Sequence, residues 1–455
     1  MQSQNFKLTL RVILNKVKDL KIYTFTLLIL QFAICNIAFA GDVFCEKLPN
    51  GMSVILKENP GTKNIALQVW VKVGASSESE ENNGISHFIE HLLFKGTQKR
   101  GPGKFDEEIS SLGGRLNGST SKDFTNYHLV VASEFIDLAI DGLADIVKNP
   151  IFEATELEKE RKVVIEEANR QNDNPNAYLY NIFNSNLWGS HPYFRTVIGT
   201  EKSLLNLKRE DILAYYKKYY IPKNLVIVAV GDFKVSEMKK KIESAFNDFT
   251  RGKISAETKT SIPVPLVANT DIKREALKKD VKQTYYIIGW QAPDIKNSDN
   301  YAMDVLATIL GNGRSSRFYT EIKEKEKLCS DIGVSYHTMK DGGMFMVYAM
   351  LDEKNISVCE SAILREIKKL QDKLVTEVEL NKAKTLIETS YVFSNETNEN
   401  QAFSLGYSEV LLSYTYELGY LEKITKISAD DIKTVVKKYL NSNSYTTIAI
   451  TPKND

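Results

Sequence analysis

Cysteine is scarce in this chain. Its 455 residues hold four, Cys35, Cys45, Cys329 and Cys359, and no C-x-x-C pair. That excludes a disulfide framework and a thiolate cage for a metal. Three of the four follow Gly41, so one bridge could form in an oxidising compartment, and the sequence does not choose it. A surplus of one charge is also missing: 59 basic residues face 58 acidic ones. No long basic patch occurs beyond the N-terminus, so nothing favours nucleic acid as a partner. No apolar run of 18 residues follows Ala40, so the body of the chain reads as soluble. Low-complexity and collagen-like bias are absent too. What remains, 43% hydrophobic and 26% charged residues, is the profile of a folded protein of about two to three domains.

The first 40 residues differ from the rest. Lys7, Arg11, Lys16, Lys18 and Lys21 precede an uncharged stretch from Ile22 to Ala40, which ends Ala38-Phe39-Ala40. Basic, then apolar, then small-x-small is the order of a secretory signal peptide. The expectation is export, to the periplasm or beyond, with cleavage after residue 40. If the segment is retained, its length just suffices for a membrane anchor.

The mature part reads as one design used twice. Leu207–Asp232 (LKREDILAYYKKYYIPKNLVIVAVGD) and Ile427–Thr451 (ISADDIKTVVKKYLNSNSYTTIAIT) share a pattern at a constant offset of 220. Asp211-Ile212 falls on Asp431-Ile432, and Lys217-Lys218-Tyr219 on Lys437-Lys438-Tyr439. Each copy reads as an amphipathic helix, a turn and a β-branched strand. Residues 251–270 carry Gly252, Pro263, Pro265 and many Ser, Thr and Lys, the composition of a linker. The expected organisation is 1–40 leader, 41–250 first half, 251–270 linker and 271–455 second half. Strand patterns such as Ile65–Val73 and Thr284–Trp290 mix with helical ones such as Phe135–Lys148 and Tyr301–Leu310, so the class is α+β.

Two of only five histidines fall within one five-residue stretch, His87-Phe88-Ile89-Glu90-His91. The apolar spacing of Gly84–Phe94 predicts a helix, with Asn83 placed to cap it. Spacing i, i+4 stacks both imidazoles on one side of that helix, an arrangement that suits zinc. Glu90, within a turn of both, is placed to act on a water rather than to bind the metal. Two histidines leave a tetrahedral site short of a protein ligand. Glu153–Asn169 also reads as a helix, partly buried through Val163, Val164 and Ile165. Its Glu160 and Glu167 lie two turns apart on one face. A buried carboxylate needs a partner, and a zinc ion is one candidate. A solvated acidic face is the alternative that spacing alone leaves open.

His87-x-x-Glu90-His91 followed by Glu160-Arg161-Lys162-Val163-Val164-x-x-Glu167 resembles the pitrilysin/insulinase family of zinc proteases with an inverted motif, which includes mitochondrial processing peptidase. Phe44–Ser53, Val69–Ser76, Phe94-Lys95-Gly96-Thr97, His191-Pro192-Tyr193 and Ile198-Gly199-Thr200 extend the resemblance across about 44–455. It implies two homologous halves, each a mainly antiparallel sheet packed with helices, arranged as a clamshell. It implies a zinc-dependent endopeptidase with His87, His91 and Glu167 as metal ligands, Glu90 as catalytic base and Glu160 supporting the site. It further implies that Gly113–Thr120 is an edge strand that pairs with an extended peptide, with Asn117, Gly118 and Ser119 against the substrate.

The sequence departs from the family at one place. Active relatives often carry an Arg and a Tyr seven residues apart in the second half. Lys323 and Ser330 stand there. Lysine keeps the charge without the planar fork, and serine is too short to replace a phenol. The family includes two-chain enzymes in which one chain brings zinc and the other the Arg/Tyr pair. The expectation is therefore a zinc-bearing chain that pairs with a paralogous partner, or with a second copy of itself. A non-catalytic binding or assembly subunit is the competing reading.

Overall fold

The computed structural model describes residues 43–250 and 270–453. The leader and nearly all of the linker segment lie outside the described residues. Two sheets carry the fold, one in each half of the chain. The first contains β1 (Val43–Lys47), β2 (Ser53–Glu58), β3 (Asn64–Val71), β4 (Arg115–Thr120), β5 (Thr125–Ala132) and β6 (Leu225–Gly231). Their order is β1-β2-β6-β3-β5-β4, with β2–β6 the parallel pair. The second contains β7 (Lys273–Lys279), β8 (Thr284–Ala292), β9 (Asp331–Thr338), β10 (Gly343–Leu351) and β11 (Thr446–Pro452). It runs β7-β11-β8-β10-β9, with β7–β11 the parallel pair. Both are mainly antiparallel, as the family resemblance implies.

The central strands are apolar at consecutive positions because both their faces are covered. β6 is buried along its whole length, and β3 from Ile65 to Val71. Val54, Leu56, Leu67, Val69 and Ile227 face a helical layer of the first half. That layer includes helix α1 (Ile85–Leu93) and helix α2 (Ala154–Asp173). Helix α3 (Pro175–Trp188) follows directly, and helix α4 (Arg209–Tyr219) leads into β6. The alternate residues Ile55, Trp70, Val226, Val228 and Val230 face the other way, against Ala402 and Leu405 of helix α5 (Asn398–Leu411). That helix belongs to the second half. The arrangement is reciprocal: Leu179, Phe183, Leu187 and Trp188 of α3 cover Ile287, Met344, Ile448 and Ile450 of the second sheet.

Two glycines permit this exchange of helices. A Cβ at Gly406 of α5 would overlap the Trp70 indole, and one at Gly289 of β8 would lie 2.6 Å from the Phe183 ring. The halves are thus interlocked, with each supplying a layer of the other's core.

The repeated pattern has a structural counterpart. Helix α6 (Ala429–Tyr439) leads into β11 as α4 leads into β6. Asp211 accepts from the Lys208 N–H and Asp431 from the Ser428 N–H, so the matched aspartates cap matched helices. The matched Ile212 and Ile432 are both buried. Among the described residues, no helix is long and apolar enough to cross a membrane.

Candidate metal centre and active site

Helix α1 forms where the apolar spacing predicts it, with Phe88, Ile89, Leu92 and Leu93 in the core. Its N-terminus differs from expectation. Asn83 does not cap it: the cap position is Gly84, at φ 95. A side chain at Gly84 would put Cβ 2.5 Å from the Ile198 carbonyl, so backbone packing requires glycine there. The orphan amides are taken by Glu78, which accepts from the Gly84 N–H at 2.8 Å and the Ser86 N–H at 2.9 Å. The Asn83 side chain instead donates to Glu78 and to the Thr196 carbonyl. A carboxylate at a helix N-terminus also complements the helix dipole.

Helix α2 runs from Ala154 to Asp173, with Glu153 as its cap. Val164 is buried as expected, but Val163 is 46% exposed, so the apolar triplet lies only partly in the core. The buried Arg161 guanidinium sits over the Phe88 ring and donates to the Leu207 carbonyl, which fixes α2 against α1.

Across that contact Glu167 Oε2 lies 3.8 Å from His87 Nε2 and 3.6 Å from His91 Nε2. One ligand atom from each of the three lies within 4.8 Å of the others. Among the described residues this is the one group of three such side chains with metal-ligand spacing. Zinc bonds of about 2.0–2.1 Å at tetrahedral angles place ligand atoms roughly 3.3 Å apart. The donor set therefore fits zinc with small side-chain adjustments.

The protonation states sharpen that fit. Burial, with His91 beside it, depresses His87 to about 3, so its ring is neutral and ready to ligate. His91 Nδ1 lies 2.8 Å from Glu160 Oε1, and Glu160 Oε2 lies 2.8 Å from Lys95 Nζ. Burial opposes a charge on His91, but Glu160, Glu90 and Glu167 together hold it above the ordinary imidazole value. Burial likewise pushes the Glu160 carboxyl up, and the His91 and Lys95 bonds outweigh it, holding Glu160 ionised. Glu160 therefore fixes the His91 proton on Nδ1 and turns Nε2 towards the metal position. His87 Nδ1 is buried and has no such partner.

Glu90 is buried on the same helix. Burial lifts its carboxyl above the ordinary value, while the Thr120 hydroxyl and His91 oppose the shift and Glu167 adds to it. Thr120 Oγ1 donates to Glu90 Oε2 at 2.6 Å. Strand β4 lies at the sheet edge beside this carboxylate, and among the described residues no strand pairs with its outer side. Gly118 turns towards Glu90, where a Cβ would lie 2.8 Å from Oε1. Asn117 is exposed, and its Oδ1 accepts from the Gly118 N–H at 2.9 Å. Ser119 is half-buried and lies next along the strand.

Among the described residues, the second half contributes no side chain to this group. Lys323 Nζ lies over the Tyr319 ring and 3.7 Å from Asp331, and the Ser330 hydroxyl donates to the Met350 carbonyl. Cys45, Cys329 and Cys359 are free thiols, the first exposed and the other two buried.

Residues 53–201 match the family described as Insulinase (Peptidase family M16), and residues 206–387 match the Peptidase M16 inactive domain. An uncharacterized zinc protease of Rickettsia felis is 31% identical over 412 residues, 90% of this chain and 97% of that protein. The chain belongs to the insulinase family, M16. A probable mitochondrial-processing peptidase subunit beta of Arabidopsis thaliana is 27% identical over 92% of this chain and 80% of that one. The crystal structure of a protease from Helicobacter pylori superposes with a TM-score of 0.86 at 25% identity, covering 90% of this chain and 100% of that one. The two-sheet α+β architecture is thus that of the M16 peptidases.

Sequence reasoning missed Thr120, Lys95 and Glu78. Their partners lie 30, 65 and at most 8 residues away. Only Glu78, an acid just ahead of a helix start, carried a local signal.

Proposed function

We propose that this chain is a zinc-dependent endopeptidase that hydrolyses peptides or small unfolded proteins, and that it is the zinc-bearing member of a two-chain enzyme. The observation that carries the reading is the convergence of His87, His91 and Glu167 beside the buried carboxylate of Glu90. Zinc held by the three ligands would supply Lewis-acid polarisation of a carbonyl and a water of lowered pKa. The protein's own residues do the rest. Glu90, lifted above an exposed carboxylate by burial, accepts a proton from the attacking water and returns it to the leaving amine. Glu160 holds the His91 proton on Nδ1 and orients Nε2 towards the ligand position. The free edge of β4 offers main-chain groups to an extended peptide, and Asn117 releases the Gly118 N–H as the peptide pairs.

The two-chain part rests on the second half. Lys323 is turned to Asp331 and Ser330 to the backbone, so neither is free to hold a substrate. The same observation favours the alternative of a non-catalytic assembly subunit. One assay separates the readings: metal analysis with cleavage of a quenched, unstructured peptide, with and without chelator. A zinc-bearing enzyme gives chelator-sensitive cleavage that rises when the partner chain is added. Full activity of the lone monomer contradicts the two-chain reading, and a metal-free, inactive protein contradicts the enzyme. The basic, apolar, Ala-x-Ala leader supports export as part of this proposal, and the mass of the mature N-terminus tests it.

A further inference from the structure

The carboxylate of Glu90 is held by strand β4 rather than by its own helix. Thr120 supplies its hydrogen bond, at 2.6 Å to Oε2, and the other oxygen lies over the bare Cα of Gly118. Gly118 and Thr120 alternate with Asn117 and Ser119 along the strand, so one face addresses Glu90 while the edge stays open to a peptide. Thr120 ends β4, and the turn that follows is tied down on three sides. Ser121 N–H donates to the Phe124 carbonyl at 2.8 Å within the turn. The Ser121 and Lys122 carbonyls accept from Ala75 and Ser76, just ahead of Glu78, which caps the histidine helix. Asp123, half-buried at the tip, accepts from the Ser76 hydroxyl, from the Tyr193 hydroxyl at 2.8 Å, and from the Lys340 N–H of the second half at 3.2 Å. Tyr193 in turn accepts from the Asp341 N–H at 3.0 Å.

We propose that Thr120 is a positioning residue that aims Glu90, and that Asp123 couples its placement to the second half of the chain. The inference rests on Glu90 being the base. It gives the half without metal ligands a part in catalysis: its β9–β10 turn, through Lys340 and Asp341, sets where the β4–β5 turn lies. Only Ser121 and Lys122 separate the coupling carboxylate from the hydroxyl that holds the base. A hydrogen bond to a charged acceptor, lost without steric change, costs about tenfold or more in a rate that depends on that acceptor's orientation.

The test uses the zinc-loaded full chain, in the assembly in which the parent is active, on a quenched unstructured peptide. Thr120→Val is expected to lower kcat about tenfold or more, with KM and zinc content within about twofold of the parent. Thr120→Ser, which restores the hydroxyl, is expected within about threefold of the parent. A Thr120→Val enzyme with parental kcat overturns the positioning role, as does a Thr120→Ser enzyme as impaired as the valine variant. A second readout needs no turnover. In metal-free protein labelled with carboxyl-13C glutamate, the Glu90 resonance, assigned by its loss in Glu90→Gln, should move in Thr120→Val and return in Thr120→Ser. An unmoved resonance overturns the contact. For the coupling, Asp123→Asn should lower kcat in the parent and have a much smaller effect in the Thr120→Val background. Equal fold-losses in both backgrounds overturn it. A Glu90→Gln protein that still turns over would instead overturn the assignment of the base, so the two failures are distinguishable.

Discussion

Replacing Glu160 by Gln should weaken zinc binding without touching a metal ligand. In the wild type Glu160 takes the Nδ1 proton of His91 at 2.8 Å and is itself paired with Lys95 at 2.8 Å. Glutamine keeps the shape and loses the charge, so the imidazole loses its orienting acceptor and part of its basicity. Removal of such an outer partner typically costs 10- to 100-fold in metal affinity. That corresponds to about 1.4–2.7 kcal/mol. The pH dependence carries a definite sign. The carboxylates hold the pKa of His91 above its ordinary value, so at low pH zinc must displace a proton from the wild-type ring. In Glu160→Gln that pKa falls and the competition eases. The deficit should therefore be larger at about pH 8 than at about pH 6, because on acidification the wild-type ring takes up the competing proton first. Competition against a chromophoric chelator measures it. An affinity at pH 8 equal to the wild type, or a deficit that grows on acidification, would refute the reasoning.

Glu90→Gln should retain one zinc and lose activity by about 10²-fold or more, measured by metal analysis beside peptide cleavage. Glu167→Gln should instead release zinc, because a neutral amide is a poor ligand, and equilibrium dialysis reads the loss. Metal-free protein should lose stability as the pH drops from about 6.5 towards 3. The unfolded chain then takes up a proton that His87, at about 3 in the fold, refuses. Denaturant midpoints across that range should fall less steeply in His87→Gln. Gly406→Val should destabilise the protein by about 1–3 kcal/mol, because its side chain must displace Trp70 where the exchanged helix packs. A thermal midpoint unchanged by that substitution would show that the helix exchange tolerates separation.

Helical periods made the two-histidine stack of the candidate metal centre legible in the sequence, while Glu167 as its third ligand came from the family resemblance. Spacing i, i+4 put His87 and His91 on one side of α1, and two-turn spacing put Glu160 and Glu167 on one face of α2, which the structure brings against α1. Their division of labour, one carboxylate at Nδ1 and one beside both Nε2 atoms, depends on how α2 crosses α1. Periodicity is silent on that crossing. Asn83 shows the limit of a local rule: it sits where caps occur, but the tight approach of Gly84 to Ile198 turns the backbone away, and Glu78 takes the amides. The repeat was visible in Asp211 and Asp431 because both make the same local cap. The exchanged helices were not. The apolar residues of α3 and α5 look the same whether they cover their own sheet or the other one. Thr120 was hidden for a similar reason, since its hydroxyl meets Glu90 only through the register of β4 at the sheet edge.

The central claim is that His87, His91 and Glu167 hold one zinc ion beside Glu90. Anomalous diffraction at the zinc edge, from crystals of the chain grown with zinc, tests it directly. The predicted result is one peak at about 2.0–2.2 Å from His87 Nε2, His91 Nε2 and a Glu167 carboxylate oxygen. No peak between these three side chains, or one bound through Glu90 or Glu160 instead, would contradict it.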